Sequence, residues 1–316
     1  MEPSAASARN RPQRGLPQLL RDLRRDKWIY IILLPGLLYF LLFKYLPMGG
    51  VVIAFQDFHP FAGFMGSNWV GLKHFDRLFA DPKFYMLLRN TIMLSLYNLL
   101  FGFPAPILLA LMLNELRKQW FKRTIQTMVY VPHFMSWVVV VTMFFVIFES
   151  RGGLFQSWIA SMGGKPFTIM MDSGWFRPMY ALQVLWRDTG WGTVIYLAAL
   201  AGISPELYEA ARMDGAGRMR QIWHITLPGI RSTIVVLLIL RLSDILDLSF
   251  EHIFLLINAM NREVADVFDT YVYRVGLTQG QFSYSTAVGL FKGLVGLLLV
   301  VVANWLAKKA GEEGIY

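Results

Sequence analysis

The stretch EAARMDGAGRMRQIWHITLP runs from Glu209 to Pro228, between two strongly apolar segments. Charged side chains are costly inside hydrocarbon, so a run this polar lies at a membrane surface rather than within it. Read locally, Ser204-Pro205-Glu206 starts a helix: a serine cap, a proline in the first turn, then an acid near the positive end of the helix dipole. That helix runs to about Asp214, Gly215 and Gly217 break it, and a second, basic helical piece follows from Arg218 to about Thr226. Pro228 opens the next apolar segment. The segment therefore reads as two short helices joined at a glycine and held close to the bilayer. Two uses fit it. Its basic residues can rest on lipid headgroups. Alternatively it is a docking helix: Ala210 and Ala211 are small enough to let another surface approach, and Leu207 and Met213 are apolar anchors of the kind that fill a pocket.

Working outward, the 316 residues are 55% hydrophobic and 15% aromatic, a composition more apolar than that of a soluble domain. A net charge of +9 suggests nucleic-acid binding in a soluble protein, but here the basic residues flank apolar runs, as orientation signals do. No nucleic-acid partner is expected. The absence of cysteine removes disulfides and thiol metal sites. A crossing needs about 20 apolar residues, and six segments qualify, at about 28–46, 88–113, 125–148, 179–200, 229–257 and 285–306. Three loops or ends are basic: the first 27 residues, the loop with Arg117, Lys118, Lys122 and Arg123, and the Glu209–Pro228 region. The tail carries Lys308 and Lys309, and the remaining loops mix signs. The expectation is an all-α membrane protein with six transmembrane helices and both termini cytoplasmic. It divides into a basic segment 1–27, a transmembrane domain 28–308 holding the loop 204–228 between the fourth and fifth helices, and a tail 309–316. The first span is read as uncleaved.

Glu209-Ala210-Ala211, three residues, Gly215, nine residues, then Ile225-x-Leu227-Pro228 resembles the EAA loop of binding-protein-dependent ABC importer permeases. WVGLKHFDRLFADPKFYMLLRNT (69–91) is similar to sugar permeases, and VADVFDTYVYRVGLTQGQFSYSTAVGLFK (264–292) to the subfamily importing oligosaccharides and polysaccharide fragments. The resemblance implies a type I ABC importer permease fold and a non-catalytic subunit. Its partners would be a second homologous permease, favouring a heterodimer, two ATPase subunits, and an extracellular or periplasmic solute-binding protein. Glu209, Ala210, Ala211, Gly215, Leu207, Met213, Ile225, Leu227 and Pro228 would form the ATPase-coupling surface. The chain itself would hold no cofactor, with ATP and Mg on the partner subunits. The binding protein would dock on about 56–75 and 258–281. The residues agree on energy supply: the nearest phosphate-loop candidate, Gly163-Gly164-Lys165, runs into Pro166 and lacks Ser or Thr. No metal-ligand or nucleophile motif is present, and the five histidines are scattered.

Charged residues inside the spans face partners or aqueous cavities. Asp244, Asp247 and Glu251 follow i, i+3, i+7 and are expected on one face of the fifth helix, with Arg241 one turn before Asp244 and able to pair with it. Arg187 lies beside Trp186 and near Trp191 on the fourth. These six residues other than Arg241 are candidates for the substrate pathway, where carboxylates accept from sugar hydroxyls and tryptophan rings stack on sugar faces. They could equally pair among themselves to seal an interface, and substrate charge stays open. Gly289, Gly293 and Gly296 suggest close packing of the sixth helix. The competing reading is a secondary transporter or channel for a polar solute, which the acids would serve but which gives the loop at 209–228 no task. A glycolipid enzyme lacks any paired catalytic constellation.

Overall fold

In the computed structural model, residues 25–149, 152–164 and 169–309 are described. Most of the basic segment 1–27, Lys165, and all of the tail except Lys309 lie outside them. By internal contacts the chain falls into two units, residues 1–52 and 53–316.

Three helices are long and apolar enough to cross a membrane: Lys27–Phe55 (α1), Phe84–Asn114 and Phe282–Leu306. Two more crossings are bent pairs, Gln119–Phe134 with Trp137–Phe148 (104°), and Arg218–Gly229 with Arg231–Ser243 (60°). The first bend is built by Pro132, which closes a tight 3-10 turn, and by Ser136. The Ser136 Oγ accepts from the Val139 amide and starts a new helix. The third candidate crossing is thus a bent pair, broken between Phe134 and Trp137, rather than one continuous helix over 125–148. The remaining segment, Ser173–Ala201, is one 29-residue helix, about 43 Å long. Its interior charges keep it below the apolarity of the others.

The fifth segment departs most from expectation. Its helix stops at Ser243, residues 244–246 turn with the Asp247 amide bonded to the Asp244 carbonyl, and a separate helix begins at Phe250. Asp244, Asp247 and Glu251 therefore do not share one helical face. Short polar side chains compete for backbone bonds, and Ser243 bonds the Ile239 carbonyl at the helix end while the Ser95 hydroxyl takes the Ile245 carbonyl from outside. Asp244 does not pair with Arg241 after the break, although both line one cleft, and Arg241 makes no hydrogen bond or ion pair among the described residues.

Three apolar clusters hold the second unit. Leu94, Trp137, Val140, Phe144, Tyr180 and Ile253 form one, joining four elements. Leu78, Phe84, Leu87, Phe268, Tyr271 and Tyr284 form a second where the loop helices meet the last span. Ala110, Tyr196, Leu200 and Ile230 form the third, beside the loop. Polar bonds knit the same elements: the Asn90 Nδ2 donates to the Glu263 and Asp266 carbonyls, and Thr91 Oγ1 accepts from the Phe268 amide. A two-residue hairpin pairs Gln56 with Trp69 and Asp57 with Asn68. The last span's glycines are open: a Cβ on Gly289, Gly293 or Gly296 meets nothing within 4 Å among the described residues.

Candidate functional site

The loop folds as two helices, Pro205–Met213 and Arg218–Gly229. Ser204 Oγ accepts from the Glu206 amide at 3.3 Å, and Pro205 occupies the first turn. At the other end Gly215 takes φ +74°, its amide bonds the Arg212 carbonyl at 3.1 Å, and the Ala216 amide bonds the Ala211 carbonyl at 2.8 Å. These are the two bonds of a Schellman ending, which needs a left-handed residue at Gly215. The two helices are then clamped. Tyr208 and Thr226 hydroxyls lie 3.1 Å apart, with Thr226 almost fully buried, and Gln221 Nε2 donates to the Ala216 carbonyl at 2.7 Å. A Cβ on Gly229 would come within 2.8 Å of Ile203 Cδ1, so the ends of the flanking spans touch.

Leu207, Glu209, Ala210, Met213, Gly215 and Pro228 are exposed; Ala211, Ile225 and Leu227 are half-buried. The nine sequence candidates thus divide into an outward surface and an inward brace. Met213 is 88% exposed, and Met219 and Trp223, one helical turn apart, extend the apolar face. Sequence reasoning missed these last two, although their i, i+4 spacing within a basic helix is a visible signal.

A second site is a cleft of about 450 Å³ between Ser173–Ala201, Arg231–Ser243 and Phe84–Asn114. Arg187, Trp191 and Asp244 line it, with His133, Asp188 and Arg241. Asp188 Oδ1 is 3.0 Å from both His133 Nδ1 and Arg187 Nη1. Arg187 also donates to the Met135 carbonyl and lies 4.3 Å above the Trp137 ring. The His133 ring stacks on Trp191 at 4.8 Å and 1°. These bonds spend Arg187 on positioning, whereas Arg241, which lines the same cleft as Trp191, has no hydrogen-bond or ion-pair partner among the described residues. Beside the cleft two backbones are in direct contact: a Cβ on Gly190 would sit 1.9 Å from the Val129 carbonyl oxygen. A wider π-turn at Asn98–Gly102 ends at Pro104 and brings Gly102, Phe103 and Pro106 to the opposite side.

The other candidates lie elsewhere. Trp186 packs edge-on against Phe144 outside the cleft. Asp247 joins a neighbouring groove, where Lys292 holds Asp269 at 2.6 Å and reaches Asp247 at 3.4 Å. Glu251 is exposed on Phe250–Leu256. The sequence also did not disclose the buried stack of His252 between Trp137 (3.8 Å) and Tyr180 (4.8 Å). His252 Nε2 lies 2.7 Å from Gln183 Oε1, which fixes the short helix after the break against two spans. Only folding shows it, because the four residues are scattered along the chain. Among the described residues no group of three or more His, Asp or Glu could hold a metal ion.

The two stretches expected to dock a binding protein adjoin one cavity of about 420 Å³ lined by Asp57, His74, Arg77, Gln281 and Tyr284. The Ser283 Oγ accepts from the Phe58 amide, and Arg77 donates to Gln281 while stacking on Tyr284 at 4.3 Å. Behind it Asp81 accepts from the Tyr271 and Tyr284 hydroxyls and the Lys83 amide. Burial pushes the Asp81 carboxyl up, but the bonds from Tyr271, Lys83 and Tyr284 outweigh it and hold the group below the usual carboxylate range. The Lys73 ammonium, aided by His74, does the same for Asp57.

Residues 102–311 match the family described as binding-protein-dependent transport system inner membrane component. The polygalacturonan/rhamnogalacturonan transport system permease protein YteP of Bacillus subtilis (strain 168) is 61% identical over 299 residues, covering 95% of this chain and 93% of that one. Among solved structures, a chain of a bacterial alginate ABC transporter in complex with an alginate pentasaccharide-bound periplasmic protein superposes with a TM-score of 0.87. It is 38% identical and covers 94% of this chain and all of that one. A chain of a bacterial ABC transporter involved in the import of the acidic polysaccharide alginate gives 0.86 at 40% identity, over 92% and 99% of the two chains.

Proposed function

Because the chain belongs to the binding-protein-dependent transport system inner membrane component family, we propose that it forms half of the pathway of an importer for acidic oligosaccharides. That it is an ABC importer permease for oligosaccharides or polysaccharide fragments, with the type I fold, follows from the family and its relatives. The secondary-transporter reading is thereby set aside. The finer claims are three. The substrate carries carboxylates. The surface of Leu207, Glu209, Ala210, Met213 and Gly215 engages a partner ATPase on the cytoplasmic side, so hydrolysis belongs to that partner, which holds ATP and Mg. A second, homologous permease closes the pathway, and a solute-binding protein delivers the sugar.

The observation that carries the substrate claim is Arg241: its guanidinium has no hydrogen-bond or ion-pair partner among the described residues and lines the same cleft as Trp191. A guanidinium offers a planar fork to a carboxylate, and an indole face stacks on a sugar ring. The relatives named for polygalacturonan and alginate point to the same chemistry. In alternating access, ATP-driven closure of the partners moves the loop, and the helices that carry the cleft walls rotate with it.

The test is uptake by the reconstituted importer of an oligogalacturonate against its methyl ester, which keeps the ring and removes the charge. Preference for the acid, lost in Arg241→Gln, supports the reading. Equal uptake of both by the wild type overturns it.

A further inference from the structure

We propose that the tip of the hairpin after α1, centred on Phe61 and Met65, is a membrane anchor that inserts into the headgroup region of the leaflet on its own side. The tip is folded inside out. Its polar side chains point inward and close it: Ser67 Oγ accepts from the His59 amide and donates to the Gly63 carbonyl, and Gln56 Nε2 donates to the Phe64 carbonyl. Gly63 takes φ +65°, which permits the tight return. Its large apolar side chains point outward: Phe61 and Met65 are fully exposed, Phe64 and Trp69 largely so. Ordered apolar side chains left wholly in water mark a surface made for something apolar.

Lipid is the occupant that the surroundings favour. The run FHPFAGFMGSNWVGL, residues 58–72, contains no Asp, Glu, Lys or Arg. The charges that bound the run, Asp57 and Lys73, pair with each other at 2.6 Å at the hairpin base, so the tip itself presents no charge to a protein partner. The hairpin also begins where a crossing ends. The apolar helix Lys27–Phe55 has 29 residues, more than the roughly 20 a bilayer core requires, and the hairpin starts in sequence at its last residue. Phe55 stacks on Trp69 at 5.7 Å and 10°, and tryptophan is enriched at bilayer surfaces. The inference depends on the chain being a membrane protein and not on its cargo.

The chain contains no cysteine, so Phe61→Cys creates its single thiol for an environment-sensitive fluorophore. The complete importer, with cysteine-free partners, is placed in nanodiscs containing lipids spin-labelled at the headgroup or high on the acyl chain. Asp76→Cys, on the exposed side of Lys73–Ala80, is the reference site. The label at 61 is expected to be quenched several-fold more than at 76, with a blue-shifted emission that added solute-binding protein leaves unchanged. Quenching equal to that at 76 overturns the anchor. So does a blue shift that appears only on adding the solute-binding protein, which would assign the tip to protein docking. Phe61→Asp with Met65→Asp, followed by the same label at the exposed Asn68→Cys, must reduce the lipid quenching relative to Asn68→Cys alone while the complex stays assembled. Unchanged quenching there likewise refutes it.

Discussion

Gly215 can be tested as a purely conformational element. A Cβ there meets no atom within 4 Å, so replacement creates no clash, and the whole penalty comes from holding φ near +74°. The left-handed region costs an L-residue about 1–2 kcal/mol, less for asparagine and more for a β-branched residue. If that cost falls on the docked conformation of the loop, the competent population drops about fivefold to thirtyfold for Gly215→Ala, since 1.4 kcal/mol is tenfold. Gly215→Asn should fall less and Gly215→Val more. The assay is substrate-stimulated ATPase activity of the reconstituted importer, with assembly checked by size-exclusion chromatography. The expected order is Gly, Asn, Ala, Val, with assembly unchanged. Equal stimulation in all four, or a valine variant better than the asparagine one, would refute the argument that the left-handed turn sets the coupling geometry.

Other perturbations separate packing from chemistry. Gly190→Ala drives a methyl into the Val129 carbonyl and should abolish stable accumulation in the membrane, as read by immunoblot, whereas the exposed Gly289→Ala should not. Tyr208→Phe removes the hydroxyl contact with buried Thr226 and should lower stimulated ATPase activity a few-fold, the loss expected for about 1 kcal/mol. The Asp81 carboxyl is held low in the folded state, so its contribution is complete above the ordinary aspartate value of about 3.9 and is lost as pH falls through its lowered folded value. Thermal melts of the purified complex should therefore fall off on acidification below that range, and Asp81→Asn should flatten that part of the profile while lowering the neutral-pH midpoint.

The loop was legible because its signals are local. A serine cap, a proline, an acid, and a glycine after the last turn each act within four residues, and the structure uses Ser204, Pro205, Glu206 and Gly215 in those roles. Apolar segments were legible by length and composition: of the six expected, three are single helices that pass as candidate spans and two more are bent pairs. The helix break after Ser243 was not, because periodicity at Asp244, Asp247 and Glu251 fits a helix and says nothing of a hydroxyl from Ser95 competing for the Ile245 carbonyl. The bend before Trp137 was signalled by Pro132 and Ser136, but an unbroken apolar run from Ile125 concealed it. The cleft was half legible. Charge inside a span flagged Arg187 and Asp244, while His133 and the freedom of Arg241 depend on which helices meet.

The architecture explains how one loop could serve both walls of the cleft. Ser173–Ala201 carries Arg187 and Trp191 and runs without interruption to within three residues of Ser204, so it behaves as a rod joined almost directly to the first loop helix. Arg231–Ser243 carries Arg241, leads to Asp244, and leaves the second loop helix through a 60° bend. Gly229 against Ile203 keeps the two rods in contact at their loop ends, and the Tyr208–Thr226 contact keeps the two loop helices in step. The cleft residues at 187–191 lie ten or more residues from the loop, about 15 Å along the rod. On the proposed coupling, a rotation imposed at the loop would pivot about the Gly229 contact and be enlarged at the cleft, separating Trp191 from Arg241 without unfolding either helix. A ligand held between an indole on one rod and a guanidinium on the other would sense that separation directly. The geometry therefore favours release by parting the two groups over any change in their individual affinities.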